Sequence, residues 1–89
     1  MKTIQIQVNA IKTLDQAHTY LAQLMNFPTY YGRNLDALYD MLTEISQDTQ
    51  VILPKALGDD HHLGLDGTYI IRVFQDAAQN NPKLHLILQ

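Results

Sequence analysis

The sequence contains no cysteine among its 89 residues. It can therefore form neither a disulfide framework nor a thiolate zinc site, and its composition suits a reducing compartment, so we expect a cytoplasmic protein. Basic residues are also few, because six Lys and Arg stand against nine Asp and Glu, for a formal net charge of −3. Proteins that bind nucleic acids are normally basic, so the charge argues against direct nucleic-acid binding. Mild acidity instead suits a basic protein partner.

Long apolar runs are missing as well. No basic segment followed by an apolar stretch opens the sequence, and no stretch reaches membrane-spanning length, so we expect neither a signal peptide nor a membrane anchor. Repeats, low-complexity tracts and Gly- or Pro-rich linkers are also absent. The apolar fraction of 46% is sufficient for a compact core. These features predict a single domain over residues 1–89.

Three short segments have the pattern of β-strands. Thr3–Val8 alternates apolar and polar residues, which predicts a strand with one covered face. Gln50–Leu53 is a β-branched run closed by Pro54, and Leu84–Leu88 places leucines on one face. Helical patterns separate these strands, an order typical of an α/β protein with a parallel sheet. We therefore predict a small three-stranded parallel sheet packed with about three to four helices.

Two of the helices have simple sequence signals. Thr13–Gln16 fits a capping box, and apolar residues at helical spacing follow it until Asn26–Pro28 ends the helix. The segment 55–67 contains three glycines and is predicted to be mainly loop with at most a short helical turn. A further helix is expected to begin near Thr68, capped by Asp66 or Thr68, and to end at the Asn-Asn-Pro sequence that follows.

The helix predicted after Asn34 has an unusual polar face. Asn34 is a favoured N-cap, and the apolar stripe that follows runs from Leu35 through Leu38 and Leu42 to Ile45, widened by Met41. Asp36 and Asp40 lie one turn apart on a different face, beside Tyr39 and Thr43. Two acids at this spacing repel each other by a few tenths of a kcal/mol, where a merely soluble helix would pair an acid with a base. Spacing alone also allows a plain solvated acidic face.

The sequence around this helix resembles the barstar family, the intracellular inhibitors of a secreted bacterial ribonuclease. The resemblance lies in a Tyr-Tyr-Gly-x-Asn-Leu-Asp-Ala-Leu run followed by an aromatic residue and Asp, which spans Tyr30–Asp40. It is dense through Thr43, returns at Val73–Ala77, and is weak between Thr49 and Tyr69. The family's fold is a small parallel three-stranded sheet with packed helices, which agrees with the pattern of strands and helices.

The resemblance implies that acids and aromatics of this helix enter the active site of a barnase-type ribonuclease, in a complex of one inhibitor with one enzyme. No catalysis and no cofactor are implied. The implied partner-binding residues are Tyr30, Asn34, Asp36, Tyr39, Asp40, Thr43 and Asp76. Of these, Asp40 would be the central contact and Asp36 would act more in steering.

This chain also departs from the family pattern. Tyr39 and Ile45 stand where the family has tryptophans, and Asp76 stands where it has Glu. Asn80 replaces an acid, and Arg33 replaces a carboxylate, which would put a positive charge beside the acidic face. These departures reduce the acidic character of the implied binding surface. They therefore bear on which ribonuclease is bound and how tightly.

A ribonuclease gathers cationic groups around a scissile phosphate, so fixed carboxylates on a rigid helix could satisfy them without offering a bond to cleave. The alternative is a barstar-like interaction module whose partner is not a ribonuclease. A continuous exposed patch of the helix acids with Tyr39 and Asp76 would favour the inhibitor, whereas scattered acids would favour the alternative. For Asp76 alone, an exposed ion pair with Arg72 is an equal alternative.

Two further kinds of site deserve comparison. Asp59–His62 contains carboxylates and imidazoles, but four adjacent residues cannot easily converge on one ion, so a solvated loop is the preferred interpretation and no metal site is predicted. His18 and His85 are expected to be structural or exposed rather than ligands. Asp36 and Asp40 on an open helix face lack the desolvation that acid–base catalysis requires, so we do not expect an enzyme.

Overall fold

The computed structural model describes the whole chain, Met1–Gln89, and its centre is a sheet of three parallel strands. The strands are β1 (Lys2–Gln5), β2 (Thr49–Leu53) and β3 (Leu84–Leu88), in the order β1-β2-β3. Ile4 is aligned with Val51, and Val51 with Leu86, so β2 is the central strand. The predicted α/β fold with a three-stranded parallel sheet is confirmed.

Three α-helices pack on this sheet: α1 (Leu14–Leu24), α2 (Leu35–Thr43) and α3 (Leu65–Asn80). Thr13 caps α1, since its hydroxyl accepts a hydrogen bond from the Gln16 amide at 3.1 Å. The Gln16 side chain accepts from the Lys12 amide at 3.0 Å, so the reciprocal bond of the predicted capping box goes to the preceding residue. Two short 3₁₀ turns, Val8–Ala10 and Lys55–Gly58, complete the fold.

The first strand is shorter than its alternating sequence predicts. It was expected to run through Val8, but it ends at Gln5, and the 3₁₀ turn begins at Val8. Ile6 still donates its amide to the Ile52 carbonyl at 3.0 Å and is buried. The Ile11 amide then bonds back to the Val8 carbonyl at 3.0 Å, which turns the chain away from the sheet toward α1.

The third helix begins earlier than the sequence predicts. It starts at Leu65 rather than near Thr68, and neither Asp66 nor Thr68 caps it, because the N-cap is Gly64 with φ 56° and no side-chain bond. Gly67 therefore lies inside the helix. Because it has no side chain, the backbone of Leu57 can pack closely against it. A Cβ at Gly67 would stand 1.9 Å from the Leu57 carbonyl oxygen. The glycine that looks like a loop signal in the sequence is a packing contact between α3 and the second 3₁₀ turn.

The helices cover one face of the sheet. Burial alternates along β2 and β3. The inward side chains of β2 and Leu84 of β3 are nearly inaccessible, whereas Leu86 and Leu88 at the edge are half-buried. The largest fully buried side chains are Phe74, Ile6, Ile11, Leu21, Leu38, Leu42, Leu53, Leu57, Ile70 and Val51. The opposite face carries Thr3, Gln50 and His85, of which Thr3 and His85 are exposed. One face of the sheet is therefore well buried and the other only partly.

Asn81 ties the ends of two helices together. It follows α3 directly and is 5% exposed. Its side-chain amide donates to the Leu42 carbonyl in the last turn of α2, at 2.9 Å. It also donates to the Ile45 carbonyl just beyond that helix, at 3.0 Å. Its side-chain oxygen accepts from the Lys83 amide at 3.0 Å. One buried side chain therefore satisfies helix-end carbonyls and fixes the ends of α2 and α3 beside each other.

Candidate functional site

The start of α2 is fixed by Asn34. Its side-chain oxygen accepts from the Ala37 amide at 2.8 Å, which makes it the N-cap as predicted, and its amide group donates to the Gly32 carbonyl at 3.3 Å. Both ends of the side chain are therefore engaged within the chain, although the residue is exposed. Asn34 sets the direction in which α2 leaves the preceding loop.

Arg33 anchors that loop to α1. Its Nη2 donates to the Asp15 carboxylate at 2.6 Å, the Asp15 carbonyl at 2.9 Å and the Thr19 hydroxyl at 2.9 Å. The residue adopts φ 55°, a left-handed conformation that is uncommon for a non-glycine residue. The positive charge that Arg33 was expected to add here is paired with the Asp15 carboxylate on the neighbouring helix.

The two tyrosines before the helix have opposite environments. Tyr30 is 79% exposed, whereas Tyr31 is 7% exposed and packs against Phe27, with ring centroids 4.9 Å apart. Tyr31 is therefore part of the core, whereas the Tyr30 ring is available to a partner, as its predicted place among the partner-binding residues requires.

Below the loop, Tyr31 shares a buried hydrogen bond with His18 of α1. The Tyr31 hydroxyl lies 2.7 Å from His18 Nδ1, and His18 is 4% exposed. Burial and the nearby Arg33 charge lower the pKa of His18, against a smaller opposing effect of Asp15. Burial raises the pKa of Tyr31 to about 12, with Arg33 acting in the opposite direction. The pair is therefore neutral at physiological pH and holds the loop against α1.

The acids of α2 lie on its solvent side. Asp36 and Asp40 are exposed, and neither carboxylate has a basic group within ion-pair distance. Tyr39 is half-buried between them and α3. At about 100° per residue, these three residues and Thr43 share an arc of about 100° on the helix. The Thr43 hydroxyl donates to the carbonyls of Tyr39, at 2.9 Å, and Asp40, at 3.1 Å, which leaves its oxygen able to accept from a partner.

The face continues from α2 onto α3. Asn80 donates to the Tyr39 hydroxyl at 2.9 Å and to the Asp76 carbonyl at 3.1 Å, so it bridges the two helices. Because the Tyr39 oxygen accepts this bond, its own proton stays free to donate to a partner. Asp76 is exposed one turn before Asn80, and Arg72 does not pair with it. The alternative of an Arg72–Asp76 ion pair is not what the structure shows.

The structure therefore brings the predicted residues of α2 together with Asp76 of α3, while Tyr30 stands at the loop that leads into α2. Ile45 is half-buried just beyond the helix end. Asn80 holds the Tyr39 hydroxyl in place, although from the sequence it was noted only as a missing acid. The sequence does contain a signal for Asn80. It follows Asp76 by four residues, so the two side chains share one face of the helix.

Metal-binding groups and membrane-spanning helices were the other features considered from the sequence. No group of three or more His, Cys, Asp or Glu side chains is arranged to hold a metal ion. In the polar stretch before α3, Asp59, Asp60 and His61 are exposed and His62 is half-buried. None of the three helices combines the length and the apolar character needed to cross a bilayer.

Comparison with known proteins identifies the family of this chain. A family model described as "Barstar (barnase inhibitor)" matches residues 1–89. The chain is also 31% identical over 80 residues to a protein of Bacillus subtilis (strain 168) named "Putative ribonuclease inhibitor YrdF". That match covers 89% of this chain and 88% of the relative. The whole-length match and the three-stranded parallel fold show that the chain belongs to the barstar family.

Proposed function

We propose that this protein is an inhibitor, not an enzyme, and that it acts in the cytoplasm on a ribonuclease of the barnase type. The target is a secreted or toxin ribonuclease, bound as a complex of one inhibitor with one enzyme. The proposed binding surface comprises Tyr30, Asn34, Asp36, Tyr39, Asp40, Thr43 and Asp76. We refer to these seven residues as the acidic face.

The observation that carries the proposal is a set of carboxylates without partners on two adjoining helices. Asp36, Asp40 and Asp76 are exposed, and none is paired with a basic group of the chain. A helix selected only for solubility would pair such acids at one-turn spacing. Three unpaired acids held by rigid elements are instead complementary to a basic cleft that normally binds phosphate.

Inhibition on this surface would be occlusion of the enzyme's cleft. The carboxylates would bind the cationic groups that otherwise contact the RNA phosphates, while Tyr30 and Tyr39 add aromatic contact area and keep water from the charged pairs. The chain offers no phosphodiester to cleave at this position. The bridge from Asn80 to Tyr39 keeps the ring in place before the partner arrives, which lowers the entropic cost of binding.

The decisive experiment titrates the purified protein into a barnase-type ribonuclease and follows RNA cleavage. We expect activity to fall linearly to zero at one inhibitor per enzyme. Asp40→Ala should restore cleavage, whereas Asp59→Ala, which removes an equally exposed acid outside the acidic face, should inhibit like the parent.

Undiminished RNA cleavage at a large excess of folded inhibitor would contradict a barnase-type target. Calorimetric titration should then be repeated with basic ribonucleases of other folds. Binding to none of them would favour an interaction module with a different kind of partner.

A further inference from the structure

The loop that leads from α1 into α2 is attached to one face of α1 at two points. Tyr31 contacts His18 there, and Arg33 contacts Asp15 and Thr19. His18 and Thr19 follow Asp15 by three and four positions, so the three side chains share one face of the helix. Helix α1 contains none of the seven residues of the acidic face, so any contribution that it makes to that face is indirect.

The attachment at Arg33 depends on a single nitrogen atom. Nη2 donates to the Asp15 carboxylate at 2.6 Å, to the Asp15 carbonyl at 2.9 Å and to the Thr19 hydroxyl at 2.9 Å. The side chains of Arg33 and Asp15 are 41% and 84% exposed. An ion pair that is open to solvent in this way adds little to the stability of a fold. Its main effect is therefore to hold the loop in one place on α1.

The backbone at Arg33 also depends on this attachment. Its φ of 55° is free of strain for glycine but not for arginine, and such a conformation persists where the surroundings hold it. The next residue, Asn34, is extended and caps α2. The turn at Arg33 therefore sets the direction in which α2 begins, and the bonds from its side chain to α1 hold that turn.

We propose that Arg33 is a positioning residue of the acidic face, which presets Tyr30 and the start of α2 through its bonds to α1. The inference rests on the proposed inhibition of a ribonuclease. Tyr30 is 79% exposed, so the place of its ring depends on the loop backbone and not on packing of the ring itself. A loop that is held in place before binding lowers the entropic cost of the complex and slows its dissociation.

Charge alone predicts the opposite effect of Arg33. The residue is adjacent in the chain to Asn34 of the acidic face, and its removal makes an acidic protein more negative. A more negative inhibitor should meet a basic enzyme faster and bind it at least as tightly. Loss of a positioning residue should instead weaken the complex. The two effects can be separated, because the field acts on the association rate and the order of the loop acts mainly on the dissociation rate.

Stopped-flow association and competition-chase dissociation, with barnase as the probe, test this separation. Arg33→Gln should leave association equal to or faster than that of the parent but speed dissociation at least about tenfold. Arg72→Gln is the matched control, because it removes an exposed cation that has no ion-pair partner. It should change association in the same direction and keep dissociation within about threefold of the parent. Dissociation of the Arg33→Gln complex as slow as that of this control would overturn the proposal.

Two further variants test whether Arg33 acts through α1. Asp15→Asn should also speed dissociation, although Asp15 lies outside the acidic face, and adding it to Arg33→Gln should change the rate little further. Arg33→Lys should return dissociation to within about threefold of the parent, because the lysine nitrogen also carries several donors on one atom. An Asp15→Asn complex that dissociates like the parent would show that Arg33 acts on the partner directly, which would also overturn the proposal.

Hydrogen exchange in the free protein separates this inference from the proposed function. The Tyr31 amide is bonded within the loop at 3.0 Å, and the Ala37 amide is bonded to the Asn34 side chain at 2.8 Å. Both should exchange at least about tenfold faster in Arg33→Gln, whereas the Thr49 amide in the sheet should keep its protection. A parent that does not bind barnase would contradict the proposed function. Parent-like protection of both loop amides in Arg33→Gln would overturn the positioning role whether or not the parent binds.

Discussion

At the scale of the residue, the acidic face depends on side chains that have no role in the core. Asp40 is exposed, whereas Leu38, two positions earlier on the same helix, has no accessible surface. The sequence identifies both, since the apolar stripe and the acids fall on different sides of a helix at 3.6 residues per turn. Function and stability can therefore be separated by two substitutions within one turn of α2.

We predict that Asp40→Ala abolishes tight binding of the ribonuclease and leaves the free energy of unfolding nearly unchanged. Leu38→Ala should do the reverse and destabilise the protein by about 2–5 kcal/mol, because it opens a cavity in the core. Urea denaturation gives the stability of each variant, and inhibition titration gives its binding. Unfolding of the Asp40→Ala protein would show that this carboxylate is structural and would remove it from the acidic face.

The buried pair of His18 and Tyr31 predicts a pH dependence of stability. The pKa of His18 is lowered in the folded state from 6.5, so below that value the unfolded chain binds more protons than the folded one. The stabilisation from neutral His18 is therefore complete above pH 6.5 and is lost progressively as the pH falls.

His18→Gln keeps a hydrogen-bonding side chain but does not titrate. We expect its free energy of unfolding, measured in urea from pH 7.5 down to 5, to fall less steeply with acidification than that of the parent. His61→Gln is the matched control, because it makes the same change at an exposed position outside the buried pair. Equal slopes for the His18→Gln protein and the parent would show that His18 does not carry this dependence.

Some of these single-residue roles could not be read from the sequence. The Tyr39–Asn80 bond joins residues 41 positions apart, and the bond from Asn81 to Leu42 spans 39 positions. No local pattern specifies such pairs, because they exist only once the helices are packed. The exposed acids could be found, since their signal is the absence of a base one turn away, which is a local property.

At the scale of the element, α3 is held against the second 3₁₀ turn by the missing side chain of Gly67. Gly67→Ala would improve helix propensity by up to about 1 kcal/mol. The added Cβ would, however, stand 1.9 Å from the Leu57 carbonyl oxygen, so the backbone of the turn must shift. We expect a net loss of about 2 kcal/mol in the free energy of unfolding.

Thermal and urea denaturation measure this loss. Gln75→Ala, an exposed change within the same helix, should stay within about 0.5 kcal/mol of the parent. A Gly67→Ala protein as stable as the parent would mean that the turn at Leu57 yields without cost. The sequence predicted a loop here because glycine normally ends helices, and only the neighbouring turn explains why it lies inside one.

The connection between α2 and α3 gives a second prediction at this scale. Asn81→Asp would keep the acceptor for the Lys83 amide but would set a carboxylate against the carbonyls of Leu42 and Ile45. We expect a loss of at least about 2 kcal/mol at pH 7, partly recovered at pH 4 as the carboxyl gains a proton that it can donate. Urea denaturation at both pH values measures it.

Asn80→Asp provides the matched control, because it changes the adjacent but exposed asparagine in the same way. It should change the stability by less than about 1 kcal/mol, and its effect should not diminish at pH 4 in the same manner. An Asn81→Asp protein that matches this control would show that the clamp between the two helices contributes little.

At the scale of the whole molecule, charge distribution governs the approach of a partner. The net charge of −3 and the exposed acids of α2 and α3 create a negative field, which would attract the basic ribonuclease proposed above. The fold class and the number of strands were accessible from the sequence, since strand and helix periodicity alternate along the chain. The sequence did not predict where α3 starts, where β1 ends or that Arg33 pairs with Asp15. Each of these features is decided by contacts between segments that are distant in the sequence.

Steering of this kind predicts a salt dependence. The association rate with a basic ribonuclease, measured by stopped flow, should fall steeply as ionic strength rises, while the dissociation rate changes little. Asp36→Asn should lower the association rate several-fold at low salt and flatten its salt dependence, whereas Asp59→Asn should have a smaller effect. An association rate independent of salt would contradict electrostatic steering.

The register of the sheet affects how the protein folds during its synthesis on the ribosome. Every strand pairing joins residues more than thirty positions apart, since Lys2 is aligned with Thr49 and Thr49 with Leu84. Non-local pairings of this kind form late, after the intervening chain has been synthesised. The acidic helix α2 is made early, but the Asn80 and Asn81 side chains that fix its outer edge and its end are among the last to emerge. A nascent chain that has not yet released α3 therefore carries the acids of α2 without the surface that presents them.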